Sequence, residues 1–126
     1  MKRALASLWL ILLGGCPAAT EPEHANDVRL RIANESAFTF ARVKVRLPGV
    51  EEEFGPIPPG TASEYRAVEV AYRYAYIEVH LASDTLVLQP IDYVGESVLP
   101  NGQYTYALDV GVDPEGKYLS FSFRQH

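Results

Sequence analysis

A chain of 126 residues and 14.0 kDa, 48% hydrophobic and 11% aromatic, is too apolar for a disordered polypeptide and is sized for one domain. Its 16 acidic against 11 basic side chains give a formal charge of −5, and with no Lys/Arg cluster of the size a polyanion needs this argues against a nucleic-acid binder. A single cysteine excludes an intrachain disulfide framework, a structural zinc site and a CxxC redox pair.

The chain opens on Met1-Lys2-Arg3, an apolar run from Ala4 to Leu13, and Gly14-Gly15-Cys16. A basic start, about ten apolar residues and small residues before a cut site describe a secretory signal. The run is shorter than the roughly 20 residues that span a bilayer. Leu13-Gly14-Gly15-Cys16 resembles the lipobox of bacterial lipoproteins. In that family the cysteine thiol receives a diacylglyceryl group, the signal is cleaved before it, and the new amine is often acylated. Two or three acyl chains anchor a protein firmly, where one holds it marginally. Pro17, rather than Asp, follows the cysteine; by resemblance to enterobacterial sorting signals this implies the outer membrane. Residues 1–15 are therefore expected to be a cleaved signal. Removing these 15 residues, Lys2 and Arg3 among them, leaves 111 residues with 9 basic and 16 acidic groups, a net of −7. Residues 16–27 form a lipidated tether: they hold two prolines and no apolar period, and about ten extended residues reach roughly 30 Å. His24 lies in this tether.

From Val28 the period is two. Val28, Leu30 and Ile32 alternate with Arg29 and Arg31, and Val43, Val45 and Leu47 alternate with Arg42, Lys44 and Arg46, the pattern of half-buried strands. Asn34-Glu35-Ser36 supplies turn chemistry between them. Phe38 and Phe40 have the opposite parity to Val43, so a bulge or bend near Ala41 resets the register. Glu51-Glu52-Glu53 reads as a solvated loop, and Gly55-Pro56-Ile57-Pro58-Pro59-Gly60 as a loop or an edge. Strands are expected at Ser63–Val70, Ala71–Ala82, Thr85–Leu88, Gln103–Val110 and Lys117–Arg124. The last places Leu119, Phe121 and Phe123 inward. About seven short strands spaced this way predict an all-β antiparallel sandwich over residues 28–126.

Asn101-Gly102-Gln103-Tyr104-Thr105-Tyr106 is similar to the G-x-Y-x-C segment of immunoglobulin-type domains, with Tyr106 where the disulfide cysteine would stand. That resemblance implies a tyrosine corner, the Tyr104 hydroxyl bonding to backbone upstream while its ring packs inside. The Leu-Pro-Asn-Gly-x-Tyr approach, here from Leu99 to Tyr104, also resembles transthyretin-like sandwiches. The layout, with Gly60-Thr61-Ala62-Ser63-Glu64-Tyr65 before the central strands, is similar to that of small bacterial lipoproteins with an immunoglobulin-like domain. The resemblance brings no activity with it.

Chemistry is sparse. His24, His80 and His126 have no second His or Cys at metal-ligand spacing, so no metal site is expected. There is no G-x-S-x-G elbow and no phosphate-cradling glycine loop. Asp109, Asp113 and Glu115 could hold Ca²⁺ but fit a turn better, lacking a calcium-loop pattern. Asp92 or Glu96 would be the carboxylate of a small hydrolase, the enzyme alternative.

Two features stand out. In Ala71–Leu81, Ala75, Ile77, Val79 and Leu81 form an apolar face, which leaves Tyr72, Tyr74, Tyr76, Glu78 and His80 on the outer one. Tyrosines present large amphipathic rings at low entropic cost, which suits sugars, peptides or a protein groove; neighbouring side chains could equally cover them. Tyr72, Tyr74, Tyr76 and His80 are the candidate binding face. The second feature is the set Arg29, Arg31, Arg42, Lys44 and Arg46. If their strands pair, five cations share one face and call for an anionic partner, unless Glu64, Glu69 or Glu78 neutralise them. The expectation is a non-catalytic envelope lipoprotein without cofactor or nucleic-acid partner, a binding or assembly accessory with an envelope protein or polysaccharide as partner. The alternative is a structural, self-associating component.

Overall fold

The computed structural model describes residues 27–90 and 97–126. The signal, Cys16, the tether to residue 26, and Asp92 and Glu96 lie outside the described residues. Eight strands run in the order β1 (Val28–Asn34), β2 (Arg42–Leu47), β3 (Val50–Phe54), β4 (Arg66–Val68), β5 (Tyr76–His80), β6 (Thr85–Leu88), β7 (Gly102–Asp113) and β8 (Gly116–Gln125). They form two four-stranded sheets, β4-β1-β7-β8 and β3-β2-β5-β6, an all-β sandwich with no helix among the described residues. Immunoglobulin domains keep their first two strands in one sheet. Here β1 and β2 lie in opposite sheets, which differs from the immunoglobulin order.

The period-two pattern does what it predicts. Val28, Leu30, Ile32, Val43, Val45, Leu47, Ile77 and Val79 turn inward and are buried, each such side chain contributing about 1.5–3 kcal/mol by leaving water. Leu119, Phe121 and Phe123 pack against this core from β8. The register reset falls where expected: Phe40 and Val43 are both buried while Ala41 and Arg42 between them are exposed. Phe40 forms a bridge with Ile57, and the expected loop from Gly55 folds back over it through a cis Gly55–Pro56 bond.

Four details differ from the sequence-based reading. Glu51-Glu52-Glu53 lies in strand β3, paired with β2; an edge strand needs only one partner and tolerates charge. The strands expected at Ser63–Val70 and Ala71–Ala82 shrink to Arg66–Val68 and Tyr76–His80. The sandwich is not wholly antiparallel, because β1 runs parallel to β7 over its whole length. Beyond Leu30 the free side of β1 is covered by a loop rather than a strand: the Ser63 N–H donates to the Ile32 carbonyl at 2.8 Å, and the Asn34 N–H to the Thr61 carbonyl at 2.8 Å.

Tyr104 makes the corner. Its ring is buried, stacked 5.6 Å from Phe123, and its hydroxyl donates to the Pro100 carbonyl at 2.5 Å. Tyr106 is buried too, edge-on to Phe121 at 5.2 Å.

Candidate binding face and cleft

The outer face of the β3-β2-β5-β6 sheet is a grid of alternating charge. Arg46 stands between Glu51 and Tyr76, Lys44 between Glu53 and Glu78, and Arg42 beside His80. Arg42 also pairs with Glu53 at 3.6 Å. Three cations on the central strand therefore face three carboxylates on its neighbours, a self-neutralising arrangement.

The five cations do not share one face. Arg29 and Arg31 are on β1, in the other sheet, because the chain crosses between sheets from Asn34 to Arg42 and β1 pairs with β7 and β4 instead of β2. Arg29 pairs with Asp27 at 3.2 Å. Arg31 donates to Thr105 at 3.0 Å, and its guanidinium lies 4.7 Å over the Tyr65 ring. Of the acids expected to neutralise the set, Glu78 does stand beside Lys44; the others that flank β2, Glu51 and Glu53, come from the strand that read as a loop.

The tyrosines divide into two groups. Tyr76 lies on β5, and the Arg46 guanidinium stacks 4.3 Å above its ring. Tyr72 and Tyr74 precede the strand in an irregular segment where Ala71 and Ala75 are buried, both tyrosines are half-buried and Arg73 between them is exposed. Together with Arg46, Leu47 and Pro48 they line a cleft of about 360 Å³. The core holds this segment in place: the Tyr106 hydroxyl donates to the Tyr72 carbonyl, and the Leu99 N–H to the Ala71 carbonyl at 2.9 Å. His80, at the other end of β5, is four residues or about 13 Å from Tyr76 and does not join the cleft.

His80 instead forms a surface pair. Its Nε2 lies 2.9 Å from Glu78 Oε1, and the Tyr76 hydroxyl reaches the other Glu78 oxygen at 3.4 Å. The His80 hydrogen bond, the largest effect, holds the Glu78 carboxyl below the usual glutamate value; desolvation, next in size, opposes it, and the charges of His80 and Lys44 and the Tyr76 hydroxyl add to the lowering.

At the last turn Asp113 accepts from the Glu115 N–H at 2.9 Å, the hydrogen bond of a turn residue, whereas Asp109 lies within strand β7, paired with Ser120, and accepts from the Val110 N–H at 2.7 Å. Among the described residues no group of three His, Cys, Asp or Glu side chains is placed to hold a metal ion. One polar cluster had no signature in the sequence. His126 lies 2.7 Å from Thr105 and edge-on to Tyr65 at 6.4 Å, so Arg31, Tyr65, Thr105 and His126 meet over β7. Only the parallel pairing of β1 with β7 brings them together.

A sandwich with a tyrosine-lined cleft defines an architecture, and comparison with known proteins adds to the fold alone. No protein-family model matches the chain, and no curated protein matches it. The fold is similar to that of a protein from Eubacterium rectale solved by NMR, with a TM-score of 0.54 and 11% identity, covering 81% of this chain and 94% of that one.

Proposed function

We propose that this chain is a lipid-anchored, non-catalytic protein of the bacterial envelope that acts as a binding or assembly accessory, and that its contact surface is the cleft of Tyr72 and Tyr74. The anchor rests on Leu13-Gly14-Gly15-Cys16. The observation that carries the binding reading is the placing of two half-buried tyrosines, a proline and an arginine around one cleft. Rings held by the backbone beneath them offer apolar area without a large entropic cost on binding, and an acylated anchor makes weak contacts effective through local concentration.

The test is retention of envelope material by the mature chain. Peptidoglycan, lipopolysaccharide, detergent-solubilised membrane proteins and phospholipid vesicles are offered separately to the wild type and to a Tyr72→Ser/Tyr74→Ser/Tyr76→Ser variant of unchanged circular dichroism. Retention of one class by the wild type and its loss in the variant is expected; equal retention by both would remove the cleft from the account.

A second reading, self-association, is favoured by β8. It is a ten-residue edge strand without proline, whose charged side chains are only Lys117 and Arg124, and such edges can pair with another chain. Sedimentation of the mature chain separates the two readings.

A further inference from the structure

We propose that the cleft and the end of the sandwich around it seat on the phospholipid headgroup layer, so that the partner of the tyrosines is the membrane surface itself. This rests on the anchored reading above. The strand directions carry it. Residues 1–26 lead into the fold at Asp27, and the Gly102 N–H, at the start of the parallel strand β7, donates to the Asp27 carbonyl at 3.1 Å. Asp27, Val50 and Val68 line one cleft of about 310 Å³, which puts the start of β1, the β2–β3 turn and the end of β4 at the same end. Arg46 faces Tyr76 across β2 and β5, so the tyrosine cleft belongs to that end as well. The lipid-bearing segment and the aromatic cleft thus leave the sandwich on one side.

That end has the composition of an interfacial surface. Val50 and Val98 are 46% and 54% exposed; Val50 lines the cleft it shares with Asp27, and Val98 lines another with Arg73 and Leu99. Tyrosine rings sit favourably at headgroup level, apolar body inward and hydroxyl in the wet layer. The Arg46 guanidinium carbon lies 4.3 Å over the Tyr76 ring, and a guanidinium held over a ring can still donate N–H groups to a phosphate. Arg29, Arg46 and Arg73 together balance the acids Asp27, Glu51 and Glu69 there. At the opposite end, among the described residues, Asp84, Asp113, Glu115 and Glu53 outnumber Lys117, paired with Asp84 at 2.9 Å, and Arg42, paired with Glu53 at 3.6 Å. An anionic membrane would therefore repel the far end more than the near one. A tether of about ten residues keeps the end within reach throughout.

Tryptophan reporters test this directly, because Trp9 is the chain's one tryptophan and leaves with the signal. Val50→Trp at the near end and Val112→Trp at the far end, each in the full chain, are purified after acylation and placed in vesicles of brominated phosphatidylcholine, with and without phosphatidylglycerol. Val50→Trp should lose most of its emission to the bromines while Val112→Trp keeps nearly all of its own. Adding Arg46→Gln, Tyr72→Ser and Tyr74→Ser to the Val50→Trp chain should restore its emission. Equal quenching at the two positions, or quenching of Val50→Trp that survives the three substitutions, would overturn the proposal. Intact mass keeps the two claims apart. A chain without acyl groups would end the anchored reading, and the same reporters with excess vesicles would still decide whether this end meets lipid. Retention of polysaccharide or protein but not vesicles would leave the binding reading standing and remove this one.

Discussion

The side-chain oxygen of Asn34 accepts both hydrogen bonds that Ser36 can offer, from the Ser36 N–H at 2.9 Å and from its hydroxyl at 2.7 Å. The amide nitrogen of Asn34 donates to the Phe38 carbonyl at 2.7 Å and the Ile57 carbonyl at 2.9 Å. Asn34 is 1% exposed, and this knot is what turns the chain from one sheet into the other. Removing a buried hub strands its partners at the full desolvation cost. Asn34→Ala should destabilise the fold by about 2–4 kcal/mol, and Asn34→Asp should fail to rescue it because a carboxylate cannot donate. Urea denaturation of the three chains checks both.

Arg66 closes the open side of the sandwich. Its guanidinium lies 4.1 Å over Phe54, pairs with Glu52 at 3.0 Å and donates to the Glu53 carbonyl at 2.5 Å, joining β4 of one sheet to β3 of the other. The side chain is 41% exposed, so the ion pair alone is worth little. Arg66→Ala should cost about 1–2 kcal/mol, mostly through the lost ring contact and packing. Denaturation in low and high salt should show nearly the same loss.

Gly55 has a φ of +124°, and a Cβ there would lie 2.9 Å from the Ala41 carbonyl oxygen. That neighbour is backbone and cannot swing aside. Gly55→Ala should therefore cost at least about 2 kcal/mol. Gly49→Ala, with a positive φ of 78° but nothing within 4 Å, should cost less, and thermal denaturation of the pair compares conformational strain with strain plus collision.

Glu78 gives a pH dependence of known sign. Its folded-state pKa is depressed, by the hydrogen bond and charge of His80 and by Lys44. A depressed carboxylate contributes stability that is fully present above its unfolded pKa and is lost as pH falls through the folded one. The stability difference between wild type and Glu78→Gln should hold steady above the ordinary glutamate range and shrink below it. Denaturation midpoints of both chains across the acid range make the comparison.

The residues that alternate strictly, Val28 to Ile32 and Val43 to Leu47, announced their strands because both faces of each strand have a single environment. Tyr104 announced the corner because its neighbours Asn101 and Gly102 have the residue types that the turn requires. Strand β3 was hidden. Its three glutamates show no alternation, since Glu52 turns toward Arg66 while Glu51 and Glu53 face the cations of β2, and each satisfies a different neighbour. The sheet that each arginine joins was not legible either. Pairing of β1 with β7 spans 74 positions from Arg31 to Thr105, and nothing local to Arg29 or Arg31 records it. The tyrosine alternation was readable, but the cleft depends on where β5 begins: exposed Arg73 breaks the inward face between Ala71 and Ala75, and the strand starts only at Tyr76.

Acylation of Cys16 is the claim on which the membrane account stands most directly. Intact mass spectrometry of the chain extracted from envelope membranes measures it. The account predicts a polypeptide that begins at Cys16 and carries a diacylglyceryl thioether, with or without an acylated amine. A chain recovered with a free Cys16 thiol, or with an N-terminus elsewhere, would contradict it.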